Sequence, residues 1–329
     1  MKFSALSARR RLLLACALAA AVPLAGAQTG TPAYPNKPIR LLVGYGAGGG
    51  VDAMARMLAV RLSTLLGQQV VVENRAGASG VIAADFVSKS PADGYTLLMG
   101  ESALLIAPHL QTRVTFDPLK SLTPVAGTFI APLMIITGNG VLAKTPEELI
   151  RLLKASPGKY SYASSGVGTV QHLGFEMFKA RTGTFVLHIP YRGAAQIVPD
   201  VISGVVQIGV VSASAAMAQA RAGRLNAMAI MSTAKLAGAE DVAPLSRALP
   251  GFELAPRLFL AAPSGTPATI VAKLSDAVRT VLESADLAQA AALQGAIPAY
   301  TASGPLATDL VRESAEWANI IKTQKITAE

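Results

Sequence analysis

Two short segments carry residue types able to hold an anion through the backbone alone. Gly44-Tyr45-Gly46-Ala47-Gly48-Gly49 has the spacing G-x-G-x-x-G and lies between a β-branched run and an apolar-periodic stretch. Glycines let a ligand approach the main chain, and free N–H groups at a helix N-terminus attract phosphate or carboxylate alike. Ser164-Ser165-Gly166-Val167-Gly168-Thr169 repeats that grammar at a second strand–helix junction and adds hydroxyl donors. Either segment by itself is equally a tight turn ending in a capped helix. Facing each other across a cleft, the two would hold one carboxylate between them.

Three other chemistries compete for the same residues. Read as a dinucleotide fingerprint, Gly44–Gly49 would bind a pyrophosphate, with Glu73 at the end of the next strand on the ribose. This gives an alternative function, an exported Rossmann-type NAD(P)-dependent oxidoreductase, but Asp52 in the first helical turn would repel the phosphates. A serine hydrolase could use Ser164 or Ser165 with His172 or His188, yet no G-x-S-x-G elbow is present, and His172 is expected to pack under its loop and orient it. Metal chemistry finds little: His109, His172 and His188 are far apart in sequence, and the one cysteine is Cys16.

Alternating strand and helix signals position these segments. A strand over 39–43 leads into the glycine loop, and Met54, Leu58, Leu62, Leu65 and Leu66 give the following helix its apolar face, which Gly67 ends. A strand over 69–73, a helix over 82–88 and, after Pro91-Ala92-Asp93-Gly94, a strand over 95–99 complete a βαβαβ unit. The pattern returns with strands over 134–137, 160–163, 186–190, 208–211 and 227–231. Helices over 147–154, 170–180, 195–203 and 215–222 separate them. A strand over 258–261 follows, then a turn in which Thr266 is the expected cap of a helix over 268–284. A last helix over 305–323 carries the only tryptophan, Trp317, expected in the core. The fold class is α/β, with two lobes, each a twisted, mainly parallel sheet flanked by helices.

Of 329 residues, 51% are hydrophobic and 15% charged, which excludes a disordered chain. Mean hydropathy is +0.43, but apolar runs after residue 27 are cut by Gly, Pro, Ser or Gln too soon to span a bilayer, so no membrane insertion is expected there. Residues 1–27 read as an export signal: Arg9-Arg10-Arg11, an apolar block from Leu12, then Ala25-Gly26-Ala27. Lys2 and those arginines supply four of the nine net positive charges, and the segment holds no acid, so the exported chain carries +5. Cys16 would leave with the signal, and with it any disulfide or thiolate.

The chain from residue 34 to about 326 resembles the extracytoplasmic solute receptors of tripartite tricarboxylate transporters, of the Bug (Bordetella uptake gene) type. The resemblance rests on Tyr34-Pro35-Asn36-Lys37-Pro38-Ile39-Arg40, Gly48-Gly49-Gly50-Val51-Asp52 with Ala55-Arg56, and Val70-Val71-Val72-Glu73-Asn74-Arg75. Pro91-Ala92-Asp93-Gly94-Tyr95-Thr96-Leu97, His188-Ile189-Pro190-Tyr191-Arg192-Gly193, Ala222-Gly223-Arg224-Leu225, Pro250-Gly251-Phe252-Glu253 and Ala262-Pro263-Ser264-Gly265-Thr266-Pro267 extend it. It implies a periplasmic-binding-protein fold with two crossover connections: lobe 1 from 28–129 and 252–329, lobe 2 from 130–251. It further implies a periplasmic receptor that performs no bond chemistry and needs no cofactor, and that is a monomer without affinity for nucleic acid. Such a receptor passes a small organic carboxylate to membrane permease subunits or to a sensor protein.

On that resemblance the ligand would meet Tyr45, Gly46, Ala47, Gly48, Gly49, Asp52 and Ser102 from the first lobe. From the second it would meet Ser164, Ser165, Gly166, Gly168, Thr169 and His172, with Tyr191, Gly193, Ala194 and Ser212 closing over it. Gly44 stands where the family usually has proline, so that glycine reads as incidental. Relatives often carry acids in the segment aligned with Gln207 and Val211; their absence here argues against an amino-acid ligand. Glu101 replaces a usual Thr or Ser, and Arg257 a usual Trp. The two would form an ion pair, or Arg257 would grip a second carboxylate by its fork, or both are unrelated exposed charges.

Overall fold

The structure is a computed structural model that describes residues 34–110, 117–232, 235–324 and 326–327. The expected export signal and Cys16 lie outside the described residues. Strands are β1 (Ile39–Val43), β2 (Val70–Asn74), β3 (Thr96–Glu101), β4 (Leu122–Ile130), β5 (Leu133–Thr137), β6 (Ser161–Ser164), β7 (Leu187–Pro190), β8 (Ile208–Ser212), β9 (Asn226–Ile230), β10 (Arg257–Pro263) and β11 (Ile297–Ala302). The helices of the first half are α1 (Gly50–Leu66), α2 (Val81–Ser88), α3 (Ala103–Leu110), α4 (Pro118–Ser121) and α5 (Pro146–Ala155). They continue with α6 (Val170–Thr182), α7 (Ala194–Ser203), α8 (Ala213–Arg221), α9 (Ala268–Leu282), α10 (Ala285–Leu293) and α11 (Ser303–Gln324).

Two sheets define a two-lobed α/β fold. The first runs β11-β4-β10-β3-β1-β2 and the second β7-β6-β8-β5-β9. The chain passes from the first sheet to the second between Ile130 and Leu133 and returns between Ile230 and Arg257, so both chain ends contribute to the first sheet. The expectation of mainly parallel sheets is corrected. Only β1–β2, β1–β3, β6–β7 and β6–β8 pair parallel, while β10–β3, β10–β4, β11–β4, β5–β8 and β5–β9 pair antiparallel. The reason is the crossovers: a strand that arrives directly from the other lobe enters opposite to its neighbours, without a helix to reverse it.

Five elements escape the sequence reading: the four-residue helix α4, and four others for local reasons. Helix α3 is apolar on nearly every side and contains Pro108, so it shows no 3.6-residue contrast. Strand β4 carries Pro124, and β11 is a half-buried edge containing Pro298. Helix α10 buries only Leu287 and Ala291. Thr266 does not cap α9: its hydroxyl donates to Pro263 O at 2.8 Å, and Pro267 stands at the cap. Trp317 is 5% exposed and belongs to the core.

The site depends on how rigidly the strand ends are held. Strand β3 is buried at all six residues, and Phe259 of β10 lies over Gly100, where a β-carbon would sit 2.5 Å from the ring. Under the second lobe, the rings of Phe178, Phe175, Tyr162, His188 and His172 stack in one column, with centroids 4.1 to 5.0 Å apart. Each such pair adds about 1 kcal/mol beyond its buried area.

Candidate functional site

The first glycine loop is locked by a polar net that the sequence separates widely. Asp52 is 2% exposed; its Oδ2 accepts from Gly48 N (2.8 Å) and Arg56 Nε (2.9 Å), and its Oδ1 from Asn74 Nδ2 (2.9 Å). Burial pushes this carboxyl up, but the hydrogen bonds from Arg56, Gly48 and Asn74 outweigh it and hold the pKa below its usual value. Asn74 also donates to Tyr45 O at 3.0 Å. The Asp52 side chain is therefore committed to the loop. Gly44 is required rather than incidental, because a β-carbon there would lie 2.4 Å from Gly80 Cα. Ala47 and Gly48 sit exposed on the outer rim.

The second loop is built from the inside. The Thr169 hydroxyl caps α6 by accepting from His172 N (3.3 Å) and donates to Gly166 O (2.7 Å). Gly168 N donates to His172 Nδ1 (3.3 Å), Gly166 N to Ser164 Oγ (3.2 Å), and Thr169 N to Gly166 O (3.3 Å). The amides of Gly166, Gly168 and Thr169, expected to face a ligand, are thus spent inside the loop. Ser164 is fully buried with its Oγ 2.7 Å from His188 Nε2. A Ser–His pair exists, with its hydroxyl fully buried and its imidazole partly buried. Burial lowers His172 to about 4 and His188 to about 3, so both rings are neutral and serve as packing and hydrogen-bond parts. Ser165 is the member of this loop that lines the cleft cavity.

The cleft is closed. Ser79 Oγ donates to Val167 O across it at 2.6 Å, and Gly46 N to Arg192 O at 3.4 Å. A cavity of about 20 Å³ remains, walled by Tyr45, Gly49, Gly50, Glu101, Gln171 and Ser212 among others. A second opening of about 160 Å³ is lined by Ala78, Ser79, Gly166, Tyr191 and Arg192; Tyr45 and Ser165 border both spaces. The Tyr191 hydroxyl donates to Asp200 Oδ2 at 2.6 Å.

Two helix N-termini meet at this cavity, and neither is capped by a side chain: α1 behind Gly49 and α7 behind Gly193. A β-carbon on Gly49 would lie 3.8 Å from Ala194 N and 3.9 Å from Ala195 N. Gly193 takes φ 133°, a conformation open only to glycine, and brings α7 within reach of Gly46. The partial positive ends of two helices thus abut, an arrangement that an anion between them relieves. Helix α6, at the Ser164–Thr169 loop, is not one of the pair, because Thr169 has already satisfied it.

Ser79 and Gly50 line the two cleft spaces, and the sequence reading did not place either at the site. Ala78 and Ser79 hold φ of 46° and 54°, a strained turn that aims Ser79 over the cleft. Nothing in the run Ala76-Gly77-Ala78-Ser79-Gly80 marks it apart from an excess of small residues.

Glu101 and Arg257 do not pair. Arg257 lies beside Asp309 and Glu313 of α11, 3.5 Å from each carboxylate. Pro256 and Leu258 line the cavity while Arg257 points to the opposite side of the strand, away from the position a second-carboxylate fork would need. Ser102 is fully buried and fastens β3 to β10: its Oγ accepts from Arg257 N (2.9 Å) and its N–H donates to Arg257 O (3.1 Å). Glu101 instead accepts a short hydrogen bond from Tyr45 Oη. Burial pushes its carboxyl up to about 7; the Tyr45 hydrogen bond opposes this and the charge of Glu313 adds to it. Glu73, required as a ribose acceptor by the dinucleotide reading, is gripped by Arg40 at 2.7 and 2.8 Å.

Two α/β lobes closed over a small cavity, with helix N-termini aimed into it, define a solute-binding protein rather than a nicotinamide enzyme. The sequence profile of the tripartite tricarboxylate transporter family receptor (TctC) matches residues 54–326, and the chain belongs to that family. The chain is 34% identical to protein BugT of Bordetella pertussis over 315 residues, 95% of this chain and 97% of that one. Among solved structures, "R. palustris Rpa4515 with adipate" superposes with a TM-score of 0.86 at 30% identity, covering 89% of this chain and 99% of that one. MatC of Rhodopseudomonas palustris with bound malate gives 0.82 at 26% identity, over 88% and 100%.

Proposed function

We propose that this receptor captures a small organic carboxylate in the periplasm and delivers it to membrane permease subunits of a tripartite tricarboxylate-type transporter. The observation that carries the reading is the abutment of α1 and α7, with Gly49 set against the amides of Ala194 and Ala195. A carboxylate there accepts from both helix ends at once, in a cleft whose closure excludes water and strengthens each bond. Ser165, Ser212 and Gly193 complete the wall, while Asp52, Ser164, Thr169 and His172 hold the loops in shape. Lobe 1 comprises residues 28–129 and 252–329 and lobe 2 residues 130–251, hinging where the chain crosses; residues 1–27 direct export. Bound adipate and malate in the neighbours named above support an acid as the guest.

A thermal-shift and calorimetric screen of the purified protein against mono-, di- and tricarboxylates, aromatic acids and nicotinamide dinucleotides tests this. Saturable binding of an acid, weakened at least tenfold by Gly49→Val, is the expected result. Tight binding of NAD(P) with no response to any acid would reverse the reading.

A further inference from the structure

Opposite the donor-rich helix ends, the same cavity has an acceptor wall. Glu101 and Gln171 both line it, at 2% and 6% exposure, and Glu101 Oε1 and Gln171 Oε1 are buried without a hydrogen-bond partner. Tyr45 already occupies the other carboxylate oxygen of Glu101. The neighbouring charges leave that vacancy open: Arg257, one residue from the cavity on β10, is taken by Asp309 and Glu313 of α11, and Glu313 adds its negative charge to the environment of Glu101. A buried acceptor left unpaired is unfavourable, and two facing one space call for a donor from the guest.

We propose that the ligand is a carboxylate that also carries a protonated amine, its carboxylate held at the α1 and α7 N-termini and its ammonium seated against Glu101 and Gln171. The inference rests on the carboxylate reading above and specifies the other end of the guest. A cation outranks a hydroxyl because Glu101 is itself ionisable, so its pairing with an ammonium is charge-assisted. Gly49, Gly193 and Ala194 at the helix ends line the same cavity as Glu101 and Gln171, which keeps the two charges of the guest close together, as in a 2-amino acid. Neither of the positions where relatives often carry acids opens into the cleft: Val211 is fully buried in the hydrophobic core of the second lobe. Gln207 Oε1 is tied to Ser161 N and Oγ at 3.1 Å. It precedes β8, whose far end, Ser212, lines the cavity about 16 Å along the strand at about 3.3 Å per residue.

Calorimetry with matched trios tests the proposal: propionate, lactate and alanine; succinate, malate and aspartate; glutarate, 2-hydroxyglutarate and glutamate. In the trio that binds most tightly, the amino member should exceed both others at least tenfold. Glu101→Gln, which retains an acceptor for Tyr45, should cut that preference at least tenfold, and Gln171→Leu should cut it in part; circular dichroism at pH 5 verifies that both variants fold. Equal binding within a trio, a preference for the hydroxy or unsubstituted acid, or an amino preference untouched by Glu101→Gln would overturn the amine while leaving the carboxylate reading intact. Failure of every trio while a tricarboxylate or aromatic acid without an amine binds would overturn the amine alone; failure of every acid would overturn both.

Discussion

Gly50 and Ser212 meet across the closed cleft with no room for a side chain between them: a β-carbon on Gly50 would sit 1.8 Å from Ser212 Oγ and 2.9 Å from its Cβ. Ser212 cannot swing freely away, since its hydroxyl is 3.0 Å from that of Ser214. Gly50→Ala therefore blocks closure without disturbing either lobe. The expected outcome is at least a tenfold loss of affinity, about 1.4 kcal/mol, with an unchanged thermal midpoint for the unliganded protein. Small-angle scattering should show a larger radius than wild type when ligand is added, and wild-type compaction would refute the clash.

Ser79 supplies one hydrogen bond that exists only when the lobes touch, to Val167 O. Ser79→Ala removes it and shifts the open–closed balance by about 1 kcal/mol, so affinity should fall about fivefold through faster dissociation. Stopped-flow release rates measure this directly; an unchanged off-rate would mean that the contact contributes nothing to closure.

The carboxyl of Glu101 is raised from 4.5 to about 7 by burial, so between those values the folded protein holds a proton that the unfolded chain releases. Stability contributed by this group is present below about pH 4.5 and lost as pH rises through 7. Glu101→Gln should stabilise the unliganded protein at pH 8 by at most about 3 kcal/mol and change little at pH 4. Urea denaturation at the two pH values checks it, and a gain equal at both would remove burial of the charge as the cause.

His172 and His188 titrate in the opposite sense. Both are lowered from 6.5, to about 4 and about 3, by burial above all; at His172 the Glu176 carboxylate opposes this more than Lys179 adds to it, and at His188 the charges of His172 and Lys179 add to it. Between pH 6.5 and those values the unfolded chain binds protons that the folded one refuses, so stability falls as pH falls. His188→Phe keeps the ring column but loses the bond to Ser164. It should be less stable than wild type at pH 8 and lose less on acidification to pH 4.5. Parallel melting curves across that range would contradict the assignment.

Much of the architecture was legible because it is local. The glycine loop, Met54-Leu58-Leu62, and the strand–turn–helix junction at Ser164–Thr169 announce themselves through spacing, and their elements fall within a few residues of the reading. Helix α3 and strand β11 did not, because a segment apolar on all sides or half exposed with a proline has no periodicity to read. The Bug-type family motifs were equally visible, as runs of consecutive residues.

What the chain by itself determined, then, is a set of glycine-bounded junctions able to present backbone donors, along with the family to which they belong. The tertiary structure alone decided which donors stay free. Thr169 consumes the end of α6, so α7 behind Gly193 takes its place opposite α1. It also decided which charges meet: Glu101 finds Tyr45, 56 residues away, and Arg257 finds α11. Hydrogen bonding and ion pairing depend on distances of about 3 Å, and a linear sequence records no distance between strands that the chain reaches only after crossing to the other lobe and back.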